Sequence, residues 1–259
     1  MSLKKSVINV GENGTVKYAP GDDALNVFTV LLSDLAAGKG PVGLAFRHAA
    51  LLSDACLLLE QKTGDFEFFT MAQQFAVIDE LSVFRNKRLV NLFNGKDVGL
   101  DELVDFMDGV TTQFKLMQKA ESLCVDYRPY FSTVNDDADV EGFKNPWCTD
   151  VQDKVVETGD LISITIDAAN IVHVLLIERK FSPGINQLAL PGGFKDASDI
   201  LDEQTCKREF AEETGFETTG MVTSYYRLND LVSMDHDPRP RFSKHGTCAH
   251  AILRLDTFI

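Results

Sequence analysis

The chain has 259 residues, 44% hydrophobic, 9% aromatic and 25% charged, which is enough for one large domain or two modest ones and too apolar for an unfolded chain. With 39 acidic against 25 basic side chains the net charge is −14, a balance that repels phosphate backbones and anionic membranes and suits a protein that gathers divalent cations. No apolar run approaches the roughly 18 residues of a membrane span, and Met1-Ser2-Leu3-Lys4-Lys5 is not followed by a signal-type apolar stretch, so the expectation is a cytoplasmic protein with a small-molecule partner and neither nucleic acid nor membrane.

The first half reads as helical. Helices are predicted over 23–37, 44–61, 68–93 and 100–123. In the last of these Leu103, Val104, Phe106, Met107, Val110, Phe114 and Met117 recur at three- and four-residue steps, the mark of one buried helical face. Gly38-Lys39-Gly40-Pro41, Lys62-Thr63-Gly64-Asp65 and Asn94-Gly95-Lys96 supply the stops. The next stretch is acidic and turn-rich, with Asn135-Asp136-Asp137-Ala138-Asp139 and Asn145-Pro146. It divides the chain into a mostly helical N-terminal domain of unknown role, 1–125, a linker or long loop, 126–156, and a second domain, 157–259. The five cysteines Cys56, Cys124, Cys148, Cys206 and Cys248 are odd in number and form no C-x-x-C pair, as reduced packing thiols would be.

In the second domain the period changes to two. The β-branched runs 161–167 and 171–177 read as neighbouring strands, a short strand over 188–191 leads into Gly192-Gly193-Phe194, and 249–255 is a further strand. A helix is predicted over 200–213, closed by Gly215 in the left-handed conformation. On that helix Glu209, Glu212 and Glu213 stand at i, i+3 and i+4, spacings that put side chains about 5–6 Å apart on one face. Like charges so close need a cation among them, and hard oxygen ligands suit Mg²⁺ or Mn²⁺. A plain solvated acidic face has the same pattern; the adjoining glycine turn and Arg208, placed to pair with one carboxylate, favour the metal site.

Gly193 through Phe216, with the core Arg208-Glu209-Phe210-Ala211-Glu212-Glu213-Thr214-Gly215-Phe216, resembles the Nudix box, G-x5-E-x7-R-E-U-x-E-E-x-G-U with U aliphatic or aromatic. The second half of the pattern matches at every fixed position. The first half has 15 steps from Gly193 to Arg208 where the pattern has 14, and Asp199, Asp202 and Glu203 are all candidates for its early acid. The segments Val174-Leu175-Leu176-Ile177-Glu178-Arg179-Lys180 and Leu188-Ala189-Leu190-Pro191-Gly192-Gly193-Phe194 are similar to the leading strands of ADP-ribose-directed Nudix enzymes, and Met234-Asp235-His236-Asp237-Pro238-Arg239, followed by Thr247 and His250-Ala251, resembles the stretch after the box in the Nudix half of bifunctional nicotinamide mononucleotide adenylyltransferase/ADP-ribose pyrophosphatases. The H-x-G-H motif of the adenylyltransferase half does not occur.

The resemblance implies an α+β chain, a Nudix α/β/α sandwich with a mixed sheet behind the helical N-terminal domain. It implies hydrolysis of the pyrophosphate in a nucleoside diphosphate derivative such as ADP-ribose, with Mg²⁺ or Mn²⁺ held by Glu209, Glu212 and Glu213. Arg208 would orient one of these carboxylates, and Gly192 and Gly193 would let the backbone pass close to the metal and pyrophosphate. Arg239 and Arg241, beside Lys244 and His245, are substrate-binding candidates because guanidinium forks suit phosphates. Asp230, Asp235, Asp237 and Asp256 are open candidates for the general base, while His48, His173 and His250 read as structural, and Trp147 and Phe143 as packing residues. Such relatives continue through another strand and a closing helix. Either the chain is truncated before its last strand and helix, or the sheet face those elements cover is left to the N-terminal helices or to a second copy in a homodimer. The alternative to an enzyme is a Nudix-like sensor of such a metabolite acting through the helical domain.

Overall fold

The computed structural model describes residues 7–10, 16–19, 25–39, 44, 48–86, 100–126, 156–167, 169–180, 186–216, 223–228, 231–233 and 247–257. The linker 127–155 and Arg239, Arg241, Lys244 and His245 lie outside them.

Among the described residues ten strands form one mixed sheet: β1 (Val7–Val10), β2 (Val16–Ala19), β3 (Val27–Leu31), β4 (Val156–Ile166), β5 (Val172–Glu178), β6 (Leu188–Ala189), β7 (Gly192–Phe194), β8 (Thr223–Arg227), β9 (Leu231–Ser233) and β10 (Thr247–Thr257). Its main path runs β1-β2-β3-β5-β4-β10-β8. Strands β4 and β10 pair in parallel along their whole length, and the other pairs are antiparallel. The long strand β4 changes neighbour midway. Thr158 to Asp160 face β7, and Ser163 to Ile166 face β5. That switch places Gly192 and Gly193 of β7 beside the first half of β4.

The helices α2 (His48–Thr63), α3 (Phe66–Asn86) and α4 (Leu100–Ser122) fall close to the stretches expected from periodicity. The segment 23–37 does not. Val27-Phe28-Thr29-Val30-Leu31 is strand β3, and only Leu32–Ala36 is helical, as α1. Its β-branched residues suit a pleated surface, and pairing with β5, from Val27↔Ile177 to Leu31↔His173, fixes it there. The N-terminal region therefore contributes strands to the same sheet as the second domain.

Alternation along β4 sorts the core into two layers. Ile162 and Ile164 join Val174, Leu176 and Leu253 in one cluster with Leu52, Phe75, Ile78 and Leu81 of the helices. Leu161 and Ile252 point the other way, onto Cys206 and Phe210 of α5 (Asp202–Thr214). The result is the expected α/β/α sandwich in which α1 to α4 supply one helical layer and α5 the other. Residues of α1 to α4 pack on the Ile162 and Ile164 face of the sheet. Residues 1–125 and 157–259 share a core there.

Candidate active site

The site is built where α5 meets the glycine turn. Ahead of α5, Gln204 turns back and its Oε1 accepts from the N–H groups of Ile200 (2.7 Å) and Leu201 (3.0 Å), which satisfies donors that a helix start leaves open. Burial of Cys206 and Phe210 fixes which face of α5 looks into the sheet. At the far end Gly215 adopts φ 71°, the left-handed cap expected for this glycine.

Arg208 is the hub. Its Nη2 donates to Asp199 Oδ2 (2.8 Å) and to the Phe194 carbonyl (2.8 Å), and its Nε reaches Asp199 Oδ2 at 3.2 Å. Its Nη1 donates to Glu209 Oε1 (2.8 Å) and Glu212 Oε2 (3.3 Å). Of the three candidate early acids, Asp199 is the one that faces Arg208. Asp202 instead meets Lys195 (3.0 Å) and Arg227 (3.2 Å), and Glu203 meets Lys207. Asp199 stands six residues after Gly193, the pattern's own spacing, so the extra residue falls between Asp199 and Arg208. The guanidinium, with the Asp196 N–H and the Thr205 hydroxyl, holds the Asp199 carboxyl down to about 2. Asp199→Ala should release Arg208 from the loop. We expect turnover to fall by about ten- to a hundredfold, the range for residues that orient a ligand set, with little loss of fold, measurable by steady-state kinetics beside thermal melting.

The three glutamates of the box are not equivalent. Glu212 has a side chain 60% exposed and touches only the rim of the Arg208 fork. Glu209 lies inward, 15% exposed, and its carboxylate fills the space a Gly193 Cβ would take. Glu213 turns back under the glycine turn, where Oε2 accepts the Gly192 N–H at 2.8 Å. Burial pushes the Glu213 carboxyl up to about 8, helped by Glu209 and opposed by the Gly192 N–H and Arg179. The Glu209 carboxyl is raised as well, by burial, against the pull of Arg208.

A fourth acid joins them. Asp160, opposite Gly192 in the β4–β7 register, is raised to about 7 by burial, with Glu209 adding to the rise and Arg179 opposing it. Sequence reading missed Asp160 because the alternating run begins one residue later, at Leu161, and missed His48 as a site neighbour. His48 begins α2, and its Nδ1 accepts the Leu190 N–H at 3.0 Å, two residues before Gly192. Asp256, a candidate base, is on β10, and Asp230, Asp235 and Asp237 lie outside the described residues.

The donor chemistry fits a divalent cation. Asp160, Glu209 and Glu213 carry hard oxygen donors whose proton affinities are raised by enclosure and mutual repulsion, and a cation would relieve both. Among the described residues no three acidic, histidine or cysteine side chains are grouped so that together they could hold a metal ion. Glu209 and Glu212 lean on Arg208, and Glu213 leans on Gly192, so Arg208 acts as the internal counter-charge.

Residues 162–254, from within β4 to within β10, match the family model of the NUDIX domain. That stretch, part of a mixed sheet with helices on both faces, is thus similar to a NUDIX domain. No curated protein matches the sequence. Among solved structures, the NUDIX domain of Shewanella oneidensis NrtR complexed with ADP ribose is 23% identical, with a TM-score of 0.35, over 47% of this chain and 71% of that one. NrtR of the same organism complexed with a 27mer DNA is 26% identical (TM-score 0.31; 38% of this chain, 41% of that one). A bifunctional NMN adenylyltransferase/ADP ribose pyrophosphatase from Francisella tularensis is 21% identical (TM-score 0.36; 70% and 46%). The chain thus spans less than half the length of the last two. Among the described residues no helix is long and apolar enough to cross a membrane.

Proposed function

We propose that this protein is a divalent-metal-dependent hydrolase that cleaves the pyrophosphate of a nucleoside diphosphate derivative, with ADP-ribose or a related nicotinamide-nucleotide metabolite as substrate. The observation that supports this reading is the complete Arg208-Glu209-Glu212-Glu213 set gathered at a cradle of two glycines, with Asp199 restoring the acid that the motif requires. Glu209 and Glu213 would hold the metal, with Glu212 closing the set from the rim. Bound there, Mg²⁺ or Mn²⁺ offsets charge on the phosphate oxygens and makes water nucleophilic.

The chain's own residues do the rest. Arg208 holds Glu209 beside Gly193, meets the exposed Glu212 at the rim, and links both to the Asp199 loop. The Gly192 N–H fixes Glu213. Gly192 and Gly193, lacking side chains, leave the space that the Asp160 and Glu209 carboxylates take up against the strand. Water adds to one phosphorus, the bond from that phosphorus to the bridging oxygen breaks, and ADP-ribose would yield AMP and ribose 5-phosphate. Arg239 and Arg241 are the proposed contacts to the distal phosphate or ribose.

The test is AMP release from ADP-ribose, NADH, FAD, diadenosine polyphosphates and nucleoside triphosphates, each with Mg²⁺ and with chelator. We expect metal-dependent turnover that is fastest for ADP-ribose. Turnover confined to nucleoside triphosphates would overturn the substrate class, and no turnover at all would overturn the enzyme. A second reading, a sensor that binds such a metabolite without cleaving it and signals through α1 to α4, is favoured by one observation: α2 touches the strand leading into the site through His48. Binding of ADP-ribose without AMP release would establish it.

A further inference from the structure

The strand that delivers the glycine turn is gripped from the helical side at two points. Leu44, just ahead of α2, bridges in parallel to Leu188. Four positions later in the chain His48, the first residue of α2, takes the Leu190 N–H on its Nδ1 at 3.0 Å. Enclosure, with the charge of Arg179 nearby, holds the His48 imidazole down to about 3. It is therefore neutral, with Nδ1 bare and fit to accept.

From Leu190 the chain of contacts runs straight into the site. The Pro191 carbonyl accepts from the Leu161 N–H (2.9 Å), and the Gly192 N–H donates to Glu213 Oε2 (2.8 Å). Between the last β6 residue, Ala189, and the first β7 residue, Gly192, the backbone has only two residues in which to turn. Fixing the Leu190 amide therefore constrains where the Gly192 amide can point. Leucine or phenylalanine at position 48 would fill the same space and leave that amide without its acceptor, a cost that buried polar groups avoid.

We propose that His48 is a positioning residue of the NUDIX site, through which the helical layer sets the Gly192 N–H and hence the Glu213 carboxylate. The assignment rests on reading Glu209 and Glu213 as cation ligands, and the experiment separates the two claims. The probe is Mn²⁺ itself, titrated into the full chain by calorimetry or electron paramagnetic resonance, for the wild type, His48→Leu, His48→Asn and Glu213→Gln. Asparagine places Oδ1 near where the imidazole carries Nδ1 and restores an acceptor; leucine does not.

The expected result is that His48→Leu weakens Mn²⁺ binding about tenfold, the lower end for residues that orient metal ligands, and that His48→Asn regains most of the loss. A purely structural histidine would give variants whose melting temperatures fall while Mn²⁺ affinity stays level. That outcome overturns the proposal, as does equal loss in the leucine and asparagine variants. If the wild type and Glu213→Gln bind Mn²⁺ equally or not at all, the cation reading falls and the assignment with it. Should His48→Leu fail to fold, amide exchange on the wild type decides: Mn²⁺ is expected to slow exchange at 188–195 and at the start of α2, and protection confined to α5 would overturn the coupling.

Discussion

Replacing Glu213 with glutamine is expected to cut turnover by about a thousandfold, the scale on which preorganised charge at a reacting centre contributes, while raising the stability of the metal-free protein at neutral pH and above. Glutamine keeps an oxygen for the Gly192 N–H at the position Glu213 Oε2 now occupies. What it removes is a charge that the fold tolerates poorly. The Glu213 carboxyl moves from 4.5 to about 8 on folding, chiefly through burial. A carboxyl with a higher pKa in the fold than in the unfolded chain binds its proton more tightly in the fold. Its favourable contribution is complete below pH 4.5 and disappears as pH rises through about 8. Asp160, moving from 3.8 to about 7, acts in the same direction.

Melting temperature measured against pH in the presence of chelator should therefore decline between about pH 5 and 8 in the wild type and decline less in Glu213→Gln. Added Mg²⁺ or Mn²⁺ should lift the wild-type curve most at the alkaline end, where both carboxylates are charged. Parallel curves for the two proteins would show that Glu213 is not the strained charge.

Two adjacent glycines should separate function from stability. A Cβ on Gly193 would lie 2.5 Å from Glu209 Cδ. The obstacle is the end of a flexible side chain, so Gly193→Ala is relieved by displacing Glu209. We expect a loss of about a hundredfold or more in turnover, comparable to removal of one oriented charge, with a melting temperature close to wild type. A Cβ on Gly192 would instead meet the Gly159 carbonyl at 2.5 Å and Asp160 Cα at 2.8 Å, and backbone cannot step aside. Gly192→Ala should lower stability by about 1–3 kcal/mol, the range for overpacking a closed space. Thermal melting and kcat on both variants check the contrast; equal melting temperatures would refute it.

The second domain was readable wherever local chemistry decides structure. Two-residue alternation marked β4 and β5, and the Arg208 to Gly215 run marked α5, its cap and its acidic face before any tertiary contact was known. Strand β3 escaped because its run of five residues abuts a helical turn and its partner, β5, lies some 145 positions along the chain, beyond any local window. The identity of the acid that meets Arg208 was open for a different reason. Asp199, Asp202 and Glu203 are crowded within five positions, and only the fold of the loop selects Asp199. Helical spacing put Glu209, Glu212 and Glu213 on one face, but it carries no information on side-chain rotation, which sends Glu212 to solvent and Glu213 beneath the turn. Asp160 and His48 had no signal, since a single acid before a strand and a single histidine opening a helix are common in proteins without any site.

The parallel ladder between β4 and β10 has a consequence for biogenesis. It joins Val156 to Thr247 at one end and Ile166 to Thr257 at the other, and β10 also receives β8 and β9. A ribosome must therefore release the stretch around 247–257 before the middle of the sheet can zip, leaving the apolar side of β4 and β5 waiting. Loop-closure costs of this kind slow folding and lengthen exposure to aggregation. Helices α2 and α3, which precede β4 in the chain and share its core in the finished fold, are made before that surface.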